Sequence, residues 1–249
     1  MKNILLHIPH SSKFIPKNND LLTSLEASQE IEETLLKLTD SFTNELFDWK
    51  NAEQIVFPYS RIYCDVERYL DAEKEPMSQK GMGVKYTKGI NGIAIRNTGS
   101  VDQDEQLKKV YYNHHNQVRN LIGERNKSNI KPLLIDCHSF SNERFKNDGV
   151  NINDLILFPD FCIGYNLNDI SSEKIAKKIA LFLKKRGYIV FMNSPYNGSL
   201  AYDDLNHHSV MIEINKNLYL REDYLTKKTD FYKVKNTITI LLNHLQHSV

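Results

Sequence analysis

Two short segments end apolar runs on histidine, and an imidazole at a strand end is well placed to bind a metal. The first is Ile4-Leu5-Leu6-His7-Ile8-Pro9-His10-Ser11, and the second is Leu133-Leu134-Ile135-Asp136-Cys137-His138-Ser139. In open α/β sheets, ligands collect beyond the carboxyl ends of the strands, which makes His10 and His138 candidate metal ligands. Asp136 lies two positions before His138, on the same face of an extended chain, and is placed to orient the ring. A buried strand can also simply end in a satisfied histidine. Two such ends in one chain are what point to a shared site.

A third apolar run, Val210-Met211-Ile212-Glu213-Ile214-Asn215, contains a carboxylate. Buried, it is costly unless it is paired or near a cation, and desolvation raises its pKa. Glu213 is therefore a candidate general base or acid beside a metal-activated water. Met211, Glu213 and Asn215 share one strand face, so a solvent-facing residue explains the pattern about as well.

Other segments offer binding groups. Tyr59-Ser60-Arg61-Ile62-Tyr63-Cys64-Asp65-Val66-Glu67-Arg68 places two arginines and two acids around a strand and the turn after it. An arginine fork suits a substrate carboxylate, but an internal Arg–Asp or Arg–Glu pair explains the same residues and is favoured on local sequence. His114 falls on the apolar stripe of a helix and reads as packed core. His115, at the stripe's edge, could reach a pocket. Asp40 could be a metal ligand or the N-cap of the following helix. His207-His208 reads as exposed turn. The turn-rich Asn193-Ser194-Pro195-Tyr196 follows a strand and suits a substrate-contacting loop.

Several chemistries lack their signatures. The chain has no Gly-x-Ser-x-Gly elbow, no phosphate loop and no Gly-x-Gly-x-x-Gly after a strand. Cys137 and His138 are adjacent strand residues and point to opposite faces, so they form no dyad. A formal net charge of +1 gives no electrostatic case for nucleic acid or an anionic membrane. No apolar run approaches the roughly 20 residues of a membrane span. Three cysteines match no zinc or paired-thiol spacing, and with no signal peptide the chain reads as cytoplasmic.

The elements that must position these groups alternate along the 249 residues. Strand-like runs lie at Ile4–Ile8, Ile55–Phe57, Arg61–Cys64, Pro132–Cys137, Leu155–Phe158, Tyr188–Phe191 and Val210–Ile214. Helical stripes run through Leu107–Ile122, Ile175–Leu183 and Val234–Leu245. Ser171-Ser172 and Arg186-Gly187 bound the second stripe, and Thr229 or Asp230 caps the third. The alternation predicts a single three-layer α/β/α domain spanning residues 1–249. Glycines 81, 83, 89, 92 and 99 mark about 73–100 as a long loop or hairpin excursion of the kind that often covers a site.

Taken in order, these segments resemble the N-formylglutamate amidohydrolase family, relatives of the zinc carboxypeptidases. The matching segments are Ile8-Pro9-His10-Ser11, Asp40 ahead of Leu46-Phe47, Ser60-Arg61 through Asp65-x-x-Arg68, and His115. They continue with Ile135-Asp136-Cys137-His138-Ser139, Pro159-Asp160 through Gly164, Asn193-Ser194-Pro195-Tyr196, and Ile212-Glu213-Ile214-Asn215 with Leu218-Tyr219. They cover about residues 4 to 220.

The resemblance implies a mixed, mostly parallel central sheet flanked by helices, of the zinc carboxypeptidase (phosphorylase/hydrolase-like) type. It implies hydrolysis of the amide of an N-formyl or N-acyl amino acid, a small-molecule substrate, by metal-activated water. Zinc is the expected metal. His10 and His138 would bind it, with Asp40 as the favoured third ligand and Asp65 as the second choice, since Lys13 stands where the carboxypeptidases carry a glutamate. Glu213 would be the base. Arg68 would grip the substrate carboxylate, with Arg61, Arg96, His115, Asn193 and Tyr196 as further substrate contacts. The alternatives are a hydrolase of the same fold acting on a peptide or cell-wall amide, and a metal-free binding protein on this scaffold.

Overall fold

A computed structural model describes residues 2–17, 19–97, 101–143 and 158–246. Its strands are β1 (Ile4–Ile8), β2 (Ala52–Val56), β3 (Leu133–Phe140), β4 (Phe161–Gly164), β5 (Val190–Met192) and β6 (His208–Asn215). They form one six-stranded sheet in the order β2-β1-β3-β6-β4-β5. β1 pairs with β3, β3 with β6, and β4 with β5 in parallel, while β4 and β6 are antiparallel. The helices are α1 (Leu25–Leu38), α2 (Thr43–Leu46), α3 (Val101–Lys127), α4 (Ile170–Lys184) and α5 (Phe231–Gln246). The mixed, mostly parallel α/β architecture expected from the sequence is present. No helix of the described residues is long and apolar enough to cross a membrane.

Contacts divide the chain into two compact units. The sheet unit comprises Met1–Ile8, Phe42–Ile55 and Arg119–Val249, and the second unit Pro9–Ser41 and Val56–Val118.

In the sheet unit the strands differ sharply between their two faces. Ile4, Leu6, Ile8, Leu133, Ile135, Cys137, Val210, Ile212 and Ile214 join the side chains of α4 and α5 in one apolar cluster. Strand period 2 and helix period 3.6 supply both halves of that cluster. Each fully buried Leu or Ile contributes about 1.5–3 kcal/mol. The alternate strand positions, on the other face, carry the polar groups of the site. α4 starts slightly earlier than its serines suggest: the Asp169 carboxylate caps it, accepting from Ser171 N and Ser172 N at 3.0 Å each. Gly187, at φ +85°, ends the segment in the left-handed region.

In the second unit, α1 is capped by Ser24 and shows no plain apolar stripe in the sequence because its buried face includes Glu30 and Thr34. Glu30 accepts from Asn91 N and Asn91 Nδ2, and Thr34 Oγ1 accepts from Ile90 N. The glycine-rich excursion is thereby folded against α1, with bridges at Met82–Tyr86 and Lys88–Ala94 and with Tyr86 and Ile95 buried. Residues 98–100 of that excursion, including Gly99, lie outside the described residues.

β3, β5 and β6 lie at Leu133–Phe140, Val190–Met192 and His208–Asn215, shifted at their ends from the expected Pro132–Cys137, Tyr188–Phe191 and Val210–Ile214, and other strands differ more. Arg61–Cys64 is not a strand: Ser60 Oγ accepts from Ile62 N, and Ser60 O accepts from Tyr63 N and Cys64 N, closing a turn. The second strand starts at Ala52, ahead of Ile55. β4, only four residues long, gave no periodic signal. The expected strand at Leu155–Phe158 lies outside the described residues except for Phe158, which is in no strand.

Candidate active site

In the sheet unit, strand register brings the chemistry together. His7 pairs with Asp136 across β1 and β3, and His138 pairs with Glu213 across β3 and β6. Cys162 of β4 pairs with Glu213 from the other side. Paired residues share a sheet face, so His7, Asp136, His138, Glu213 and Cys162 form one polar row opposite the aliphatic cluster. Glu213 is 9% exposed, so the face it shares with Met211 and Asn215 is buried, and the solvent-facing alternative is set aside. Cys137 lies on the aliphatic face, its thiol directed to Ile135 O, as the alternation required.

Asp136 is the hub of this row. Its Oδ1 accepts from His7 Nδ1 at 2.8 Å and lies 3.1 Å from His138 Nε2, while its Oδ2 accepts from Leu200 N at 3.1 Å. Burial pushes its carboxyl up, but His138 and His7 outweigh burial and hold it well below the usual range. Because a carboxylate only accepts, the His138 Nε2 that faces it carries a proton. Burial and the nearby Glu213 push the Cys162 thiol up, which leaves it protonated and poorly nucleophilic.

In the second unit, Asp65 plays the same part for His10. Asp65 Oδ1 accepts from His10 Nε2 at 2.9 Å and from Glu67 N at 3.2 Å. Its Oδ2 accepts from Arg61 Nε at 3.0 Å, Arg61 Nη2 at 2.8 Å and Tyr86 Oη at 3.1 Å. Burial acts to raise the Asp65 pKa, but Arg61, His10 and Arg68 outweigh it and hold the group well below the usual range. Asp65 is thus an orienting group whose lone pairs are taken, which removes it as second choice for a ligand.

His10 Nδ1 stands 3.6 Å from Glu67 Oε2 and 3.8 Å from Asp40 Oδ2, beyond hydrogen-bond distance of both. Burial, then Arg61, lowers the His10 pKa against the opposing pull of Asp65 and Glu67, so the ring is neutral and Nδ1 holds the lone pair. An imidazole nitrogen near two carboxylates is a donor set that could hold a cation. Asp40 is 2% exposed and its backbone N donates to His10 O. It is not a helix cap, since Phe42 holds that position of α2. Glu67 is a candidate ligand that the sequence reading missed; its only signal was a carboxylate between Asp65 and Arg68. Buried histidine and carboxylate groups able to hold a metal occur among the described residues.

The remaining expected contacts divide into tied and available groups. Arg96, expected as a substrate contact, donates to Tyr86 O, Ile62 O and the Asp20 carboxylate. Arg61 is likewise committed to Asp65, as its internal-pair reading anticipated. Asn193 clamps the backbone of Tyr165 through Nδ2 to O and Oδ1 from N, a structural role in place of the expected substrate contact. His115 Nε2 lies 2.8 Å from Val66 O and steadies the turn that carries Glu67. Arg68 approaches Asp65 Oδ2 at 3.6 Å while its side chain stays 21% exposed. Tyr196 packs on Phe140 beside Cys162. His207 is buried, and His208 Nδ1 meets Ser171 Oγ at 3.0 Å inside β6, so neither is an exposed turn residue. A cavity of about 420 Å³ in the second unit is lined by Tyr69, Leu70, Val84, Lys85, Leu107 and Lys108 among others, none of them an expected site residue.

Comparison with solved structures gives the same architecture. A crystal structure of N-formylglutamate amidohydrolase from Ralstonia eutropha JMP134 superposes with a TM-score of 0.85 at 16% identity, covering 99% of this chain and 94% of that one. A gene product of Agrobacterium tumefaciens superposes with a TM-score of 0.58 at 17% identity, over 98% of this chain and 92% of that one. A search of the curated proteins finds no significant match. At these identities the structural likeness speaks to fold. The sequence pattern itself matches the model of the N-formylglutamate amidohydrolases over residues 2–220, and the chain belongs to that family.

Proposed function

We propose that this protein is a metal-dependent amidohydrolase that cleaves the amide of an N-formyl or N-acyl amino acid, with an N-formylglutamate-like compound as the reference substrate. Family membership supports amide hydrolysis. The observation that carries the metal assignment is the repeated mounting of two histidines. His10 and His138 each approach a buried aspartate through Nε2, at 2.9 and 3.1 Å, so that each offers Nδ1. An aspartate behind an imidazole is the usual support of a metal-binding histidine. Neutral imidazoles with carboxylates form a donor set suited to zinc.

His10, His138 and Asp40 would hold the ion, with Glu67 the nearest competitor of Asp40. When bound, the ion would supply Lewis acidity, making a water acidic near neutral pH and polarising the scissile carbonyl. Glu213 accepts the proton of the attacking water and passes it to the leaving amine. Arg68, the partly exposed arginine, binds the carboxylate of the amino acid and fixes its orientation. Tyr196 borders the acyl group. We treat residues 1–249 as one amidohydrolase domain because the family match runs through both units. Three buried free thiols fit a reducing, cytoplasmic setting.

The test is metal analysis of the purified protein followed by hydrolysis assays across N-formyl and N-acyl amino acids, N-formylglutamate included. Stoichiometric zinc with turnover of at least one such substrate is expected. Absence of metal uptake, together with no turnover after zinc or cobalt is added, overturns the proposal.

A further inference from the structure

β1 carries a histidine where its neighbours are all aliphatic. His7, between Leu6 and Ile8, is 0% exposed, and a buried polar ring is costly unless it is bonded. It spends its Nδ1–H on Asp136 Oδ1, the oxygen that also faces His138 Nε2. Leu200 N fixes the other carboxylate oxygen. With these three donors the Asp136 carboxylate has one orientation. Remove His7 and, among the described residues, only the Leu200 amide restrains the plane in which the His138 proton is received.

We propose that His7 is a positioning residue: by anchoring Asp136 it holds His138 in the Nε2–H tautomer, with Nδ1 as the donor atom. The metal consequence rests on His138 being a ligand, as proposed above; the tautomer does not depend on that. A solely structural role for His7 would alter stability without altering the state of the His138 ring, and the two roles are thereby separable.

The experiment reads imidazole ¹⁵N shifts in the metal-free full-length protein, alongside zinc dissociation constants from chelator competition. Four proteins are compared: the unaltered chain, His7→Phe, His7→Leu and His7→Asn, whose amide keeps a donor near the place of Nδ1. In the unaltered chain and His7→Asn, His138 is expected as a single Nε2–H tautomer. In His7→Phe and His7→Leu it becomes a mixture, and zinc binding weakens about 10–100-fold. An Nδ1–H tautomer in the unaltered protein overturns the proposal without any substitution. So does a pure Nε2–H ring with unchanged zinc affinity in the folded Phe or Leu variants. Should the unaltered protein take up no zinc at all, the hydrolase reading falls, and the ring tautomers alone decide the role of His7.

Discussion

Glu213 occupies the position of β6 that pairs with His138 of β3, so both side chains leave the same buried face of the sheet. This register puts a carboxylate next to an imidazole that is already turned by Asp136, an arrangement suited to moving a proton beside the proposed metal ligand. Glu213→Gln keeps shape and polarity but removes the basic oxygen. Turnover of the best N-acyl amino acid should drop about 10²–10⁴-fold while bound zinc stays at the level of the parent. Full activity in the variant would show that another group takes the proton.

Asp65 gathers five donors from four other residues, among them both arms of the Arg61 fork and the Tyr86 hydroxyl. Deleting one partner of such a buried set leaves the others charged and unpaired. Asp65→Ala should therefore lower unfolding free energy by about 3–5 kcal/mol. Tyr86→Phe, which removes one neutral donor, should cost about 1 kcal/mol. Urea unfolding followed by circular dichroism measures both. Equal costs for the two changes would mean that the charges are better solvated than their burial indicates.

In the proposed metal site, Asp40 and Glu67 are the two candidates for third ligand, at 3.8 and 3.6 Å from His10 Nδ1. Distance alone slightly favours Glu67. Anchoring favours Asp40: it is 2% exposed and its backbone is tied to His10 O, whereas the Glu67 side chain is 18% exposed. A ligand held in place loses less rotamer freedom on binding. Zinc affinity should fall at least about 100-fold in Asp40→Asn and less than about 10-fold in Glu67→Gln. The reverse order would reassign the ligand.

The legible parts of this protein are those where period and chemistry coincide. β1, β3 and β6 could be read because their aliphatic alternate positions made the inserted His7, Asp136, His138 and Glu213 conspicuous. Arg61–Cys64 misled for the same reason: Ile62 and Cys64 alternate and are buried, yet Ser60 turns the chain, and burial does not distinguish the two states. α1 stayed hidden because Glu30 and Thr34 hold its inner face against residues about sixty positions away. Arg96 and Asn193 could be named as polar groups near a site, but their consumption by Tyr86, Ile62, Asp20 and Tyr165 is a long-range fact that no local pattern carries. The role of Asp65 was invisible likewise, since two of its partners, His10 and Tyr86, are set by folding and only Arg61 and Glu67 are local.

The cap of α4 offers a test of electrostatics away from the site. Burial raises the Asp169 carboxyl, but hydrogen bonds from Ser171 and Ser172, both side chain and backbone, outweigh it and bring the group to about 2. Its folded pKa lies below its unfolded value, so its contribution is complete above the ordinary carboxylate pKa and is lost as pH falls toward 2. Asp169→Ala should lower stability by about 1 kcal/mol at pH 7. Asp169→Asn retains the capping oxygen without the titration. The stability difference between the parent and the Asn variant should therefore shrink as urea unfolding is repeated from pH 6 down to pH 3. A difference that stays constant over that range would mean that the Asp169 charge adds nothing to the cap beyond its hydrogen bonds.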